Sequence, residues 1–216
     1  MKRCVPALAL AALLSPVALF AAPASPWFGG FPMQFRPDTG PFVQAEIGVI
    51  QSELGARKIG DIDVATLLSV RDRLSVASQK DAYVRKTGME SFLLPGLGQL
   101  EVGDTASGIG FMAADLGVIA GTLVVAYYLL PTDLRFDRID YFSSNFSGIN
   151  NAWCSHSFTD YLPAFGVLVG GMVIDQTLRH WSAADARRKA AKAVETGRVT
   201  FTPRLGPGFM GIDIAY

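Results

Sequence analysis

Two long apolar segments dominate the pattern of hydrophobic and polar positions along the chain. Residues 107–130 contain one ionisable side chain, Asp115, and as an α-helix they rise about 36 Å, enough to cross a hydrocarbon core of about 30 Å. Residues 163–178 are also apolar and contain Asp175, and Tyr161 and Trp181 as interfacial ends extend this segment to about 21 residues. The pattern predicts a helical hairpin of two membrane spans.

An apolar segment that Gly and Pro interrupt precedes the first span. A helix of this composition is broken, and at membrane depth its freed backbone groups must be satisfied by protein or by water. Asp104 or Thr105 is expected to cap the first span. The candidate residues of this broken element are Pro95, Gly96, Gly98, Gln99, Gly103 and Asp104.

The periodicity changes several times outside the hairpin. Residues 42–50 alternate between apolar and mostly polar positions, which predicts a β-strand. Residues 64–86 show helical spacing, with Asp61 or Asp63 as the N-cap, and residues 182–197 predict a separate basic helix closed by a glycine.

The C-terminal end alternates again around a Pro-Gly turn. Two short strands fit residues 199–202 and 209–216, and the strand at 42–50 could pair with them. The predicted fold is a mainly α membrane protein. It consists of a helical hairpin of two spans, the broken Gly/Pro-rich element before it, and a small β element from the N- and C-terminal segments.

The N-terminus has the features of a signal peptide. Lys2 and Arg3 precede an apolar stretch at residues 5–20, and small residues at 22–24 offer a cleavage site. The alternative is an uncleaved anchor helix. The predicted organisation is a signal peptide at 1–24, a periplasmic or surface segment at 25–88, a membrane hairpin region at 89–181, and a basic helix with C-terminal strands at 182–216.

Composition and charge narrow the class of protein. Half of the residues are hydrophobic, only 18% are charged and the formal net charge is zero. No cluster of Lys and Arg interleaved with aromatic residues is present, so the chain is not expected to bind nucleic acid. Lys and Arg flank the outer sides of the hairpin, which places both flanks in the cytoplasm by the positive-inside rule, whereas a cleaved signal peptide places the N-terminal flank outside. Either the final location is the outer membrane, where that rule does not operate, or the signal-peptide interpretation is wrong.

Asp115 and Asp175 are the most unusual residues of the two spans. A carboxylate near the middle of a bilayer costs a few kcal/mol, so each side chain must face protein or water. One hypothesis is a path for protons, ions or water. The other is a structural role, in which each carboxyl bonds a backbone amide or a hydroxyl of the neighbouring helix.

Pairs of glycines at a spacing of four residues mark both spans. This spacing flattens one face of a helix, so that another backbone can approach it closely. The two spans are therefore expected to pack through these faces, and one face could serve oligomerisation instead. The four glycines are Gly117, Gly121, Gly166 and Gly170.

Other candidate chemistry is weak. Residues 103–108 superficially resemble a phosphate-binding loop but lack its Lys and the preceding strand. Cys154 and His156 are only two metal ligands, which do not make a site. The sequence contains no Gly-x-Ser-x-Gly motif and no Ser-His-Asp order. No cofactor, metal or catalytic residue is predicted.

The segment Gly96–Asp104 (GLGQLEVGD), followed by Ser107-Gly108 and by Asp115, resembles the hallmark of the spirochaetal thirteen-kilodalton surface-protein family. That resemblance implies a small, mostly helical, exported protein that forms an outer-membrane channel. Residues 94–99 (LPGLGQ) are also similar to a broader bacterial family of membrane hairpins of unknown function. In that family an Asp of the last helix, matched here by Asp175, precedes a strand-like C-terminus. The similarity covers residues 92–130 well and 173–216 loosely.

Three functional hypotheses follow. The first is an exported integral membrane protein of the cell envelope, in the outer rather than the inner membrane, that forms a channel as a homo-oligomer. The second is a membrane-anchored structural or assembly protein that binds envelope proteins. The third, a membrane enzyme that uses Asp115 or Asp175, has the least support. The lipid bilayer is the expected partner in all three.

Overall fold

The computed structural model of the chain describes residues 40–55, 62–142, 145–206 and 209–215, and the predicted signal peptide lies outside these ranges. The described residues are mostly helical, which confirms the mainly α prediction. In chain order the elements are α1 (Pro41–Leu54), α2 (Val64–Leu93), α3 (Leu97–Glu101), α4 (Thr105–Leu129), a 3-10 turn (Thr132–Leu134), α5 (Phe146–Ser155), α6 (Phe158–Glu195), β1 (Thr200–Gly206) and β2 (Phe209–Ala215).

Two of these helices, α4 and α6, are long and apolar enough to cross a membrane. In each, 11% of the most apolar window is buried within the described chain. The two apolar segments of the sequence therefore correspond to two candidate spans. They are joined by residues 130–157, which contain the 3-10 turn and α5.

The last helix differs from the prediction. The second span and the basic segment after it form one continuous helix, α6, of 38 residues, rather than two helices. No Gly or Pro lies between residues 172 and 196, and the Ala-rich basic segment continues the helix because its residues are good helix formers. Gly197, with φ +69°, ends the helix as expected, and Arg198 N–H donates to the Ala193 carbonyl across this turn at 2.9 Å.

The prediction of a strand at residues 42–50 is wrong, because these residues belong to α1. Asp81 of α2 accepts hydrogen bonds from the Phe42 and Val43 amides at 3.2 and 2.9 Å, which satisfies free donors at the helix N-terminus. Arg73 of α2 pairs with Glu46 and with Glu53, the latter at 2.7 Å. These tertiary contacts hold α1 against α2 although its alternating pattern favours a strand.

The β element is formed by the C-terminal segments alone within the described ranges. β1 and β2 form an antiparallel pair that runs from Thr200 opposite Ala215 to Gly206 opposite Phe209. The expected pairing of residues 42–50 with these strands does not occur, since those residues are helical.

The chain divides into two compact units. Among the described residues, 117–142 and 145–174 form one, here called the hairpin unit. Residues 40–55, 62–116, 175–206 and 209–215 form the other, here called the terminal unit. Both α4 and α6 contribute to each unit.

The terminal unit has its apolar core where α2 and the end of α6 lie beside β1. Small residues of α6, such as Ala190 and Ala193, are almost inaccessible and belong to the same core cluster as Tyr83 of α2. Tyr83 of α2 packs edge-to-face on Phe201 of β1, with ring centroids 5.9 Å apart. The core cluster consists of Tyr83, Val102, Ala190, Ala193, Val194 and Val199.

The hairpin unit is ordered by aromatic residues in the connection between its helices. Tyr141 O–H donates to the Leu134 carbonyl at 2.6 Å, and Trp153 Nε1–H donates to the Tyr141 oxygen at 3.2 Å. Tyr161 stacks on Trp153, with centroids 5.5 Å apart, and its O–H donates to the Trp153 carbonyl at 2.6 Å. The aromatic residues of this connection therefore bond one another and the backbone.

Candidate functional site

The structure brings Asp115 and Asp175 together around Arg179. Asp115 lies on α4, and Asp175 and Arg179 lie one turn apart on α6. Arg179 Nε is 2.7 Å from Asp175 Oδ2, and Arg179 Nη2 is 3.3 Å from Asp115 Oδ1. The three side chains are only 12–17% exposed. We call these three residues the ion cluster.

Arg179 also connects the ion cluster to α2. Its Nη1 donates to the Leu93 carbonyl at 2.8 Å, which satisfies one of the carbonyl groups that the end of α2 leaves free. One guanidinium therefore joins three helices, and its planar fork of donors is suited to this role in a way that a Lys ammonium is not.

Sequence reasoning found the two carboxylates but missed their partner. It expected each Asp to bond an amide or a hydroxyl of the neighbouring helix, whereas both bond the same guanidinium. The spacing of four residues between Asp175 and Arg179 was the available signal, because such pairs face each other on a helix. With all three groups ionised the ion cluster has a net charge of −1.

The broken element forms a second polar centre in the terminal unit. Gln99 is fully buried. Its Oε1 accepts a hydrogen bond from Ser91 Oγ at 2.7 Å, and its Nε2 donates to the Ser182 carbonyl at 2.9 Å. The Gly98 amide donates to Ser91 Oγ at 2.9 Å and the Gly96 amide to Ser182 Oγ at 3.0 Å. We call these five residues the polar junction.

The polar junction satisfies the backbone of the broken element with protein groups. Ser91 and Ser182 come from α2 and α6, so the junction fixes the turn and α3 between these helices. Sequence reasoning named Gln99 and the glycines but not the two serines, which do not stand out in a sequence. Thr87 is buried beside them, and its hydroxyl bonds the Tyr83 carbonyl at 2.9 Å.

The glycines of the junction are required by close backbone contacts. Gly96 has φ +98°, a conformation that side chains disfavour, and an added Cβ would overlap the Gly108 carbonyl oxygen. An added Cβ at Gly98 would overlap the Thr87 carbonyl oxygen. Pro95 is fully buried beside them. Gly103 also has a positive φ, +81°, at the turn between α3 and α4.

Asp104 begins α4 and binds the last helix. Its Oδ1 accepts from the Ser107 amide at 3.2 Å, as an N-cap does. Its Oδ2 lies 2.6 Å from Lys189 Nζ, and Lys189 also contacts Asp185 at 2.8 Å. Hydrogen bonding from Lys189, with smaller contributions from Ser107, lowers the pKa of Asp104 to about 2.

Acid is expected to remove the stabilisation that Asp104 provides. The pKa of Asp104 in the folded chain is below the usual value of about 3.9, so its contribution is complete above about pH 4 and is lost as the pH falls towards 2. The stability of the wild type and of Asp104→Asn, measured by circular dichroism as the pH is lowered, should therefore differ above pH 4 and become equal near pH 2. Asp137→Asn, at an exposed loop position, is the control. Equal stability of Asp104→Asn and the wild type at pH 7 would contradict this assignment.

The glycine pairs do not make the expected contact between the two spans. An added Cβ at Gly117, Gly121, Gly166 or Gly170 meets no atom of the described chain within 4 Å. The prediction that the spans pack through these faces is therefore wrong. Close approach occurs instead at Gly171, where an added Cβ would overlap the Thr122 side chain.

Cys154 and His156 each contact a different polar side chain. His156 Nε2 lies 2.6 Å from Asp133 Oδ2, and the Cys154 thiol is 3.8 Å from Asn150 Oδ1. The part of the chain that the structure describes contains no group of three His, Cys, Asp or Glu residues that could hold a metal ion.

The ion cluster, the polar junction and the Asp104–Lys189 pair thus tie α2, α3 and α4 to α6 through polar contacts. Comparison with protein-family models, with curated proteins and with solved structures finds no match to this chain.

Proposed function

We propose that the chain is an integral membrane protein of the cell envelope whose apolar helices are an anchor and whose terminal unit is a structural or assembly module that binds envelope proteins. The observation that carries this proposal is the ion cluster. Arg179 contacts both carboxylates within the chain and offsets one of their two negative charges, so both Asp115 and Asp175 are engaged in contacts of the fold.

The exposed surface of α4 and α6 supports the anchor. Large apolar side chains there are half exposed or more, and the transfer of such surface from water into an apolar environment is favourable. A soluble chain would leave this area in contact with water, whereas a bilayer covers it. Examples are Leu116 at 67%, Leu123 at 51%, Val124 at 53%, Val173 at 61% and Ile174 at 58% exposed.

The polar contacts support a structural role for the terminal unit. The polar junction is buried and satisfied, and such a network holds its helices in one arrangement. A fixed arrangement suits a surface on which other proteins assemble.

The second candidate is an oligomeric channel in the outer membrane. The open faces at Gly117 and Gly121 and at Gly166 and Gly170 favour it, because they leave room for a helix of another copy. Two helices enclose no water-filled path, so conduction requires several copies. The resemblance of residues 96–104 to exported surface proteins that form channels points the same way.

Planar bilayers separate the two candidates. If the helices are an anchor, the purified full-length protein should produce no discrete conductance steps. A known porin is the positive control for the measurement. Steps whose size changes in Asp115→Asn would overturn it in favour of the channel.

Fractionation tests the location. The predicted signal peptide together with the basic flanks favours the outer membrane, and we expect separation of inner from outer membranes to recover the protein in the outer fraction. Recovery in the soluble fraction without detergent would overturn the membrane proposal itself.

A further inference from the structure

Two exposed cationic residues, one on α2 and one on α6, lie near the contact of these helices and have no acidic partner among the described residues. Arg187 of α6 packs against α2 at Gly88, where an added Cβ would overlap its Nε and Cγ atoms. Arg85 lies one turn before Gly88 on α2, and residues three apart share a helix face. Both are exposed, and neither forms an ion pair or a hydrogen bond with the described residues. We call Arg85 and Arg187 the arginine pair.

On both helices, exposed apolar side chains follow the arginine pair, and they lie on the same side of it. On α2, Met89 and Leu93 follow Arg85 at intervals of four residues and are 50% and 46% exposed. On α6, Trp181 precedes Arg187 by about 9 Å of helix and is 63% exposed. The two helices are antiparallel, since Arg187 contacts Gly88 and Arg179 contacts Leu93. The change from an exposed Arg to exposed apolar side chains therefore runs in the same direction in space on both helices.

The distance along the helix from the arginine pair to the first exposed apolar side chains matches the thickness of the lipid headgroup region. Arg85 is about 6 Å from Met89 along α2. The polar headgroup region adds about 5–7 Å on each side of the hydrocarbon core. With Met89, Leu93 and Trp181 in the hydrocarbon, the arginine pair lies at the level of the lipid phosphates. Trp is enriched at this boundary, and Arg binds phosphate through two parallel hydrogen bonds.

We infer that the arginine pair binds the phosphate of an anionic phospholipid headgroup. This inference rests on the proposed membrane location and adds a lipid class to it. Gly88 has a specific part in it, since its missing side chain is what lets Arg187 lie against α2, one turn from Arg85.

The test measures thermal unfolding of the full-length protein in neutral detergent micelles that contain phosphatidylglycerol or phosphatidylcholine. Phosphatidylglycerol should raise the unfolding midpoint of the wild type, and phosphatidylcholine should not. Arg85→Gln and Arg187→Gln should each weaken the apparent affinity for phosphatidylglycerol about fivefold, and the double variant roughly 30-fold. Arg138→Gln, an exposed charge in the hairpin unit, is the matched control and should respond like the wild type.

Three results would overturn the inference. One is a double variant that responds to phosphatidylglycerol like the wild type, and another is inorganic phosphate that reproduces the shift. If the double variant does not fold, salt replaces it as the test. The shift in the wild type should fall between 0.05 and 1 M salt because exposed charges are screened, and a constant shift is the third contrary result. Equal responses to both lipids in a protein that still needs detergent would leave the membrane proposal intact, whereas solubility without detergent would remove it.

Discussion

Arg179→Met is expected to be the most destabilising single substitution in the ion cluster, with a loss of about 3–5 kcal/mol in the free energy of unfolding. The change leaves two carboxylates, 12–17% exposed, next to each other without a cation. It also removes the donor to the Leu93 carbonyl. Denaturant unfolding in mixed micelles, followed by helical circular dichroism, measures the loss.

A matched set of variants isolates the cause. Arg138→Met removes an exposed Arg from the hairpin unit and should change stability by less than about 0.5 kcal/mol. Adding Asp115→Asn and Asp175→Asn to Arg179→Met should recover most of the loss, because the uncompensated charges are then gone. Wild-type stability of Arg179→Met alone would show that the cluster contributes little.

Gly98→Ala is expected to lower the free energy of unfolding by about 3 kcal/mol. The new methyl group overlaps the Thr87 carbonyl oxygen, which belongs to the backbone of α2 and cannot move alone. The shift that relieves the overlap also separates the Gly98 amide from Ser91 Oγ and opens the polar junction. The same unfolding measurement detects both effects.

Gly110→Ala supplies the control for the glycine series. Gly110 lies within α4 and an added Cβ there meets nothing within 4 Å, so Ala should stabilise the helix by about 0.5–1 kcal/mol. The free energy of unfolding is expected to fall in Gly98→Ala and to rise in Gly110→Ala. If both variants lose the same stability, the contact at Thr87 is not the cause.

Much of the helical framework could be predicted from the sequence, because hydropathy and helix caps are local signals. The two candidate spans, the interruption after Leu94, and the capping residues Asp63 and Asp104 all appear where residue type indicated them. Each depends on residues close together in the chain.

What could not be predicted depends on distant partners. The alternation at 42–50 is typical of a strand, but Asp81, 39 residues from Phe42, binds the amides of α1 and holds a helix there. Arg179 falls at the polar end of a hydropathy window, so nothing local identifies it as the partner of Asp115, 64 residues earlier. Ser91 and Ser182 gain significance only when the fold brings both to Gln99.

The separation between Asp115 and Arg179 also constrains how the protein is made. Synthesis at 5–20 residues per second takes about 3–13 seconds to cover the 64 residues between them. During that interval Asp115 is already part of the growing chain, whereas the counter-ion of its carboxylate has not yet been synthesised. The carboxylate of the first apolar helix therefore gains its counter-ion only after most of the second apolar helix has been synthesised.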